Sequence, residues 1–143
     1  MSKYQLFRVV TAAVIEDNGK FLLGRRHPKD DNLPDFWSIP AGHIEVEETD
    51  INTLEENLKR EVKEELGIEI EVGDYLDSHS WVTEEYSKLT VVFLARITSG
   101  EPQTSEEISE VKWYTVEEAS SLNLPPNVLR VLEKAALNQR GTE

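Results

Sequence analysis

The chain has 143 residues, with 15 Lys and Arg against 28 Asp and Glu, a formal net charge of −13 and no cysteine. That length fits one domain, residues 1–143, large enough to bury a core unaided, and the missing cysteines exclude disulfides, thiolate zinc sites and cysteine nucleophiles. The charge argues against a protein that wraps duplex nucleic acid, which relies on Lys and Arg to neutralise phosphates. It leaves room for a small anionic ligand where divalent cations stand between carboxylates and phosphates.

The longest purely apolar run, Val91 to Ala95, is five residues, far short of the roughly 20 that cross a bilayer. The amino-terminal stretch mixes Lys3, Gln5 and Arg8 with its apolar residues, so it lacks the apolar core of a secretory signal. A cytoplasmic protein with no membrane partner is expected.

In chain order, Arg8 to Ile15 is rich in β-branched residues and Lys20 to Arg25 carries Phe21, Leu22 and Leu23. Asn18-Gly19 between them is a strong hairpin signal, since both residues tolerate positive φ. His27 to Phe36, with two prolines and several Asp and Asn, reads as a loop. Trp37 to Ile39 reads as a short strand that Pro40 and Gly42 stop. Thr53 is the expected N-cap of a helix running from Leu54 to Leu66, where Leu54, Leu58, Val62 and Leu66 make one apolar face. Glu55 and Glu56 complement its dipole, and Gly67 ends it.

Ile68 to Leu76 alternates apolar and acidic residues as a half-buried strand does. Ser78 to Thr83 either continues that strand or pairs with it, and Leu89 to Ile97 is another strand. Ser99 to Ser109 reads as a loop, Val111 to Tyr114 as a strand and Val116 to Leu122 as a short helix. Pro125-Pro126 opens a longer helix reaching about Gln139. Strands and helices interleave, which places the chain in the α/β or α+β class.

The chemistry concentrates between Gly42 and Ile68. On the helix, Glu61, Glu64 and Glu65 stand at i, i+3 and i+4, on one flank beside the apolar stripe. Three carboxylates so placed repel one another, and oxygen-only ligands suit a hard ion such as Mg²⁺ or Mn²⁺. Arg60 is four residues from both Glu56 and Glu64, and its planar fork suits holding a carboxylate in a fixed orientation. A solvated, Glu-rich helix face is the competing reading.

Gly42, Glu48 and the run Arg60-Glu61-Val62-Lys63-Glu64-Glu65-Leu66-Gly67-Ile68 resemble the Nudix box, whose pattern is G-x5-E-x7-R-E-U-x-E-E-x-G-U with U apolar. Arg60 to Ile68 matches at every specified position, and Trp37 to Glu45 is similar to the strand and glycine loop that precede the box. The box covers 27 of the 143 residues. Eleven residues, 49–59, separate Glu48 from Arg60 where the family usually has seven. The surplus falls at Thr49-Asp50-Ile51-Asn52. Glu47 and Ala41 stand where glycines are common, so the loop must close differently, and Glu45 or Glu47 is an alternative to Glu48.

The resemblance implies an α/β/α sandwich around a mixed β-sheet. It also implies metal-dependent hydrolysis of a nucleoside diphosphate linked to a group X, with Mg²⁺ or Mn²⁺ as cofactor. By similarity, Glu61, Glu64 and Glu65 bind metal, Glu61 is a candidate general base and Arg60 orients them. Glu107 occupies a place similar to a further metal ligand of MutT-like members, with Glu106 and Glu110 as rivals. Arg25 resembles a phosphate contact, and Gly42 lies against the substrate.

A small nucleoside triphosphate, cleaved to monophosphate and pyrophosphate, is the favoured substrate, and the chain is expected to act as a monomer or homodimer. The alternatives are a nucleotide-sugar or ADP-ribose pyrophosphatase, and a catalytically silent nucleotide-binding module. His27, His43 and His79 share no ligand spacing. Trp113 reads as core, while Trp81 and Tyr86, flanking a polar turn, are candidates for a substrate rim.

Overall fold

A computed structural model describes residues 4–30 and 33–141. Lys3 and the loop residues Asp31 and Asn32 lie outside the described residues. Ten elements follow one another: β1 (Arg8–Asp17), β2 (Lys20–Arg26), β3 (Trp37–Ser38), β4 (Ala41–His43), α1 (Thr53–Leu66), β5 (Glu69–Val82), β6 (Ser87–Ser99), β7 (Ile108–Tyr114), α2 (Val116–Ala119) and α3 (Val128–Gly141).

The hairpin forms at its sequence signal. Asn18 and Gly19 adopt positive φ, 52° and 81°, and Asp17 pairs with Lys20 across the turn. The strands make a mixed sheet in the order β3-β2-β1-β6-β5, with β4 beside β1 and β7 beside β2. β1 pairs in parallel with β6 from Arg8 to Ile15. On its other edge it pairs antiparallel first with β4 and then with β2.

The near-continuous apolar run of β1 follows from this position, because both of its faces are covered. Ala13 and Ile15 pack with Leu58, Val62 and Leu66 of α1. Ala12 and Val14 pack with Val131, Leu132 and Ala135 of α3. The expected sandwich, helices on both faces of a mixed sheet, is therefore the observed one.

Several boundaries differ from the sequence reading. Thr53 is the first helical residue, and the cap is Asn52, held in the left-handed conformation at φ 53° without a side-chain capping bond. Asn tolerates this conformation better than most residues, and its carbonyl accepts from Glu56 N–H at 2.9 Å. The short strand β3 ends at Ser38, ahead of Pro40 as expected, and a separate strand follows. The Pro40 carbonyl accepts from Ala13 N–H, and Ala41–His43 continues as β4 along β1.

Ser78 to Val82 continues β5, past irregularities between Val72 and Tyr75 and between Tyr75 and Asp77. β7 starts earlier than expected, at Ile108, and α3 starts at Val128, after Asn127 turns the chain at φ 77°. α2 is a single turn closed by a reciprocal cap between Thr115 and Glu118.

Candidate active site

The box loop is pinned to the helix by one buried side chain. Asn57 projects from the first turns of α1, and its Nδ2 donates to Thr11 Oγ1 and to the His43 carbonyl, each at 3.1 Å. Its Oδ1 accepts from Glu45 N–H at 3.2 Å and also from Arg60 Nη2. These bonds tie β1, β4, the loop after β4 and α1 together, and they satisfy a polar group that would be costly to bury unpaired. The Leu54–Leu66 stripe carries no sign of Asn57, whose value comes from contacts with residues far away in sequence.

Above this joint lies Gly42. It pairs with Thr11, which turns its missing side chain toward α1. A Cβ built there would overlap Cγ and Cδ of Glu61. The loop thus approaches the helix closely enough for Glu61 to lie over bare backbone.

The carboxylates differ in depth. Glu65 is buried at 6% exposure, Glu61 is nearly so, and Glu64 is exposed. Glu65 is pushed up to about 8, first by burial and then by Glu107, with Glu61 adding to the rise; Arg26 and a hydrogen bond with the Ala41 backbone oppose it. Glu61 is also raised, first by burial, against the lowering effect of Arg60, with Glu64, Glu45 and Glu107 adding to the rise. Glu107 therefore reaches the buried pair from the segment leading into β7. Its rivals do not, since Glu110 pairs with Arg25 at 2.9 Å and Glu106 acts on neither Glu61 nor Glu65.

The donor set is carboxylate oxygen throughout, which suits a hard divalent ion. Glu65, raised by burial, Glu107 and Glu61, and Glu61, raised by burial and by Glu64, Glu45 and Glu107, are carboxylates that such a cation would relieve. Among the described residues no three candidate ligands already converge, so gripping an ion requires side-chain rotation. In chemistry and burial the residues fit the ion.

Arg60 lies 3.4 Å from Glu61, 3.5 Å from Glu64 and 3.7 Å from Glu45. Glu56, named above as within its reach, pairs with Lys59 instead. Glu48 is exposed and, among the described residues, has no hydrogen bond or ion pair. Glu45, from the loop after β4, lies beside Arg60.

Arg25 is also displaced from its expected place. It pairs with Trp37 in register and forms ion pairs with Asp35 and Glu110, on the face of β2 turned away from α1. Arg26, beyond a register shift between Arg25 and Arg26, pairs with Asp30 at 3.2 Å and is the cation that acts on Glu65. A cleft lined by Gly24, Arg26, Ser38, Pro40 and Glu65 opens there. Both faces of β2 are buried from Phe21 to Gly24, so the hydrophobic pattern contains no signal that separates Arg25 from Arg26.

Trp113 packs against the core as expected. Trp81 is exposed and Tyr86 lies under Arg8. His79 is hydrogen-bonded to Asp77 and His27 accepts from Lys29 N–H, so neither joins the carboxylates.

Comparison with known proteins shows the family and the fold. Residues 6–135 match the family model of the NUDIX domain. The chain is 33% identical over 143 residues to the NAD-capped RNA hydrolase NudC of Vibrio vulnificus, covering 95% of this chain but 49% of that protein, about half its length. It is 27% identical over 131 residues to the nucleoside triphosphatase NudI of an Enterobacter species, covering 82% and 88% of the two chains. The solution structure of the E. coli ORF135 protein superimposes with a TM-score of 0.75 at 29% identity, over 97% of this chain and 94% of that one. With the box intact from Arg60 to Ile68 and the sandwich and loop arranged around it, the chain belongs to the Nudix family.

Proposed function

We propose that the chain is a metal-dependent pyrophosphohydrolase that cleaves a nucleoside diphosphate linked to X, with a nucleoside triphosphate as substrate and the monophosphate and pyrophosphate as products. The observation that carries this reading is the buried pair Glu61 and Glu65, one helical turn apart beside Gly42, with Glu107 arriving from a separate segment. The name of the NudI relative favours a triphosphate.

Glu61, Glu64, Glu65 and Glu107 would hold Mg²⁺ or Mn²⁺. A bound divalent ion neutralises diphosphate charge and brings the pKa of water toward neutrality. Arg60, fixed by Asn57, aligns Glu61 and Glu64. Glu61, whose proton affinity burial raises, accepts the proton of the attacking water as the P–O anhydride bond breaks. Gly42 lets the substrate approach the backbone. Arg26, rather than Arg25, takes the phosphate oxygens.

The reading is tested by phosphate release, coupled through a pyrophosphatase, from a panel of triphosphates, ADP-ribose and sugar nucleotides with Mg²⁺ or Mn²⁺. A selective signal that Glu61→Gln abolishes supports both reaction and site. Turnover unchanged in that variant at saturating metal would place the chemistry elsewhere.

A further inference from the structure

Glu61 lies in a slot with two walls, and one side chain holds both of them. The first wall is the backbone at Gly42, so close that a Cβ there would overlap Cγ and Cδ of Glu61. The second is the Arg60 guanidinium, whose Nη1 lies 3.4 Å from Glu61 Oε1. Asn57 Nδ2 holds the first wall through the His43 carbonyl and through Thr11, the register partner of Gly42. Asn57 Oδ1 holds the second through Arg60 Nη2.

The two arms of the Arg60 fork are not equally constrained. Nη1 is spread over three carboxylates, Glu61, Glu64 and Glu45, at 3.4, 3.5 and 3.7 Å. Glu64 and Glu45 are exposed, and exposed ion pairs of this length fix little, because water screens them and the acids compete for one nitrogen. Nη2 instead donates to the neutral carbonyl oxygen of a side chain only 5% exposed. The guanidinium is planar and rigid, so anchoring one nitrogen sets where the other points. Asn57, rather than the acids, therefore decides the direction of Nη1.

The Asn57 amide is itself locked. Nδ2 donates twice and Oδ1 accepts twice, from Arg60 and from Glu45 N–H. Turning it over would set N–H against N–H at both Arg60 and Glu45. The box pattern specifies no residue at this position, which falls between Glu48 and Arg60.

We propose that Asn57 is a positioning residue for the hydrolysis, placing Glu61 through Arg60 and the Gly42–His43 backbone without touching substrate or metal. The proposal rests on the pyrophosphohydrolase reading and adds to it the group that sets the geometry of its base.

The test compares the wild type with Asn57→Ala, Arg60→Gln, the double variant and Thr11→Val. Thr11→Val disturbs the same buried joint but leaves Asn57 its bonds to Arg60 and to the His43 carbonyl. One readout is kcat and KM for a nucleoside triphosphate with Mg²⁺. The other needs neither metal nor turnover: nitrogen-resolved NMR of the Arg60 guanidinium, in which a held Nη2 rotates slowly and stays distinct from Nη1.

A hydrogen bond to a charged group is worth about tenfold or more. Asn57→Ala is expected to lower kcat by about that factor with KM little changed, and to merge the two Arg60 signals. The double variant is expected to lose far less than the product of the single losses. Thr11→Val, below its unfolding transition, is expected to keep both kcat and the separate signals.

Equal kcat losses in Thr11→Val and Asn57→Ala, or losses that multiply in the double variant, would make Asn57 merely structural and overturn the proposal. So would Arg60 signals already merged in the wild type, a measurement that stands even if Asn57→Ala fails to fold. Hydrolysis with Arg60 signals indifferent to Asn57 would overturn the proposal and leave the hydrolase reading intact. A chain that hydrolyses no nucleotide, yet loses the held Arg60 signal in Asn57→Ala, would sink the hydrolase reading and keep Asn57 as the residue that orients Arg60.

Discussion

Two carboxylates on opposite faces of the sheet are almost wholly withdrawn from water, and their surroundings treat them in opposite ways. Asp77 of β5, 4% exposed, receives Arg130 Nη1 and Nη2 at 2.8 and 2.9 Å, Lys134 Nζ at 3.3 Å, and His79 Nδ1 at 3.1 Å. The Arg130 bond leads in holding its carboxyl far below the ordinary range, with His79 and Lys134 assisting against the cost of burial. Glu65 has no ion pair among the described residues, and burial with Glu107 drives it the other way. A buried acid supplied with cations from its own chain fastens α3 to the sheet. A buried acid that faces Glu107 and Glu61, with Arg26 acting on it but no ion pair among the described residues, is left with its proton affinity raised.

The largest expected effect breaks that contrast directly. Glu65→Gln should lower turnover on the order of 100-fold, yet leave the metal-free protein at least as thermostable as the wild type, because a neutral amide relieves a strained burial. A fall in both activity and Tm would make Glu65 structural, like Asp77.

Arg130→Ala should do the opposite. It strips the bidentate partner from a buried carboxylate and should cost about 1–3 kcal/mol in urea unfolding, with kcat retained below the transition. Equal stability would show that Lys134 and His79 suffice.

The two acids should also leave opposite signatures in stability against pH. Asp77 has a folded pKa below its unfolded value of 3.8. The unfolded chain therefore binds more protons in that window, and stability is lost as pH falls below about 4. Glu65 has a folded pKa of about 8 against 4.5 unfolded, so without metal the folded state holds the extra proton and stability declines as pH rises from about 4.5 toward 8. Thermal unfolding in chelator should give both limbs. Asp77→Asn should flatten the acid limb and Glu65→Gln the other.

The smallest effect concerns the loop. Glu48→Gln should change kcat/KM by less than about twofold, the scale of an exposed charge without partners. Glu45→Gln, beside Arg60, should change it several-fold, and steady-state kinetics on the two variants separates them.

Much of this arrangement is legible in the residues themselves. The stripe Leu54, Leu58, Val62 and Leu66 fixes the helix and its buried side, and Arg60 to Ile68 fixes the family. What the sequence conceals is phase and reach. β2 is buried on both faces, so alternation does not say whether Arg25 or Arg26 meets Glu65. The four extra residues bring the chain into α1 through a left-handed Asn52, where Thr53 has the better capping chemistry. Asn57 owes its importance to a neighbour distant in sequence, Thr11, and no local pattern encodes such a meeting.

The parallel pairing of β1 with β6 sets the order in which the molecule can assemble. Arg8 meets Lys88 with the whole box, Gly42 to Ile68, in the chain between them, and closing so long a loop costs chain entropy before any contact rewards it. The β1–β2 hairpin and α1 are local and form cheaply. The Gly42 strand hangs on one edge of β1 and the Lys88 strand on the other. Of these two pairings the Lys88 strand closes the far longer loop, so its docking is the costlier one in chain entropy.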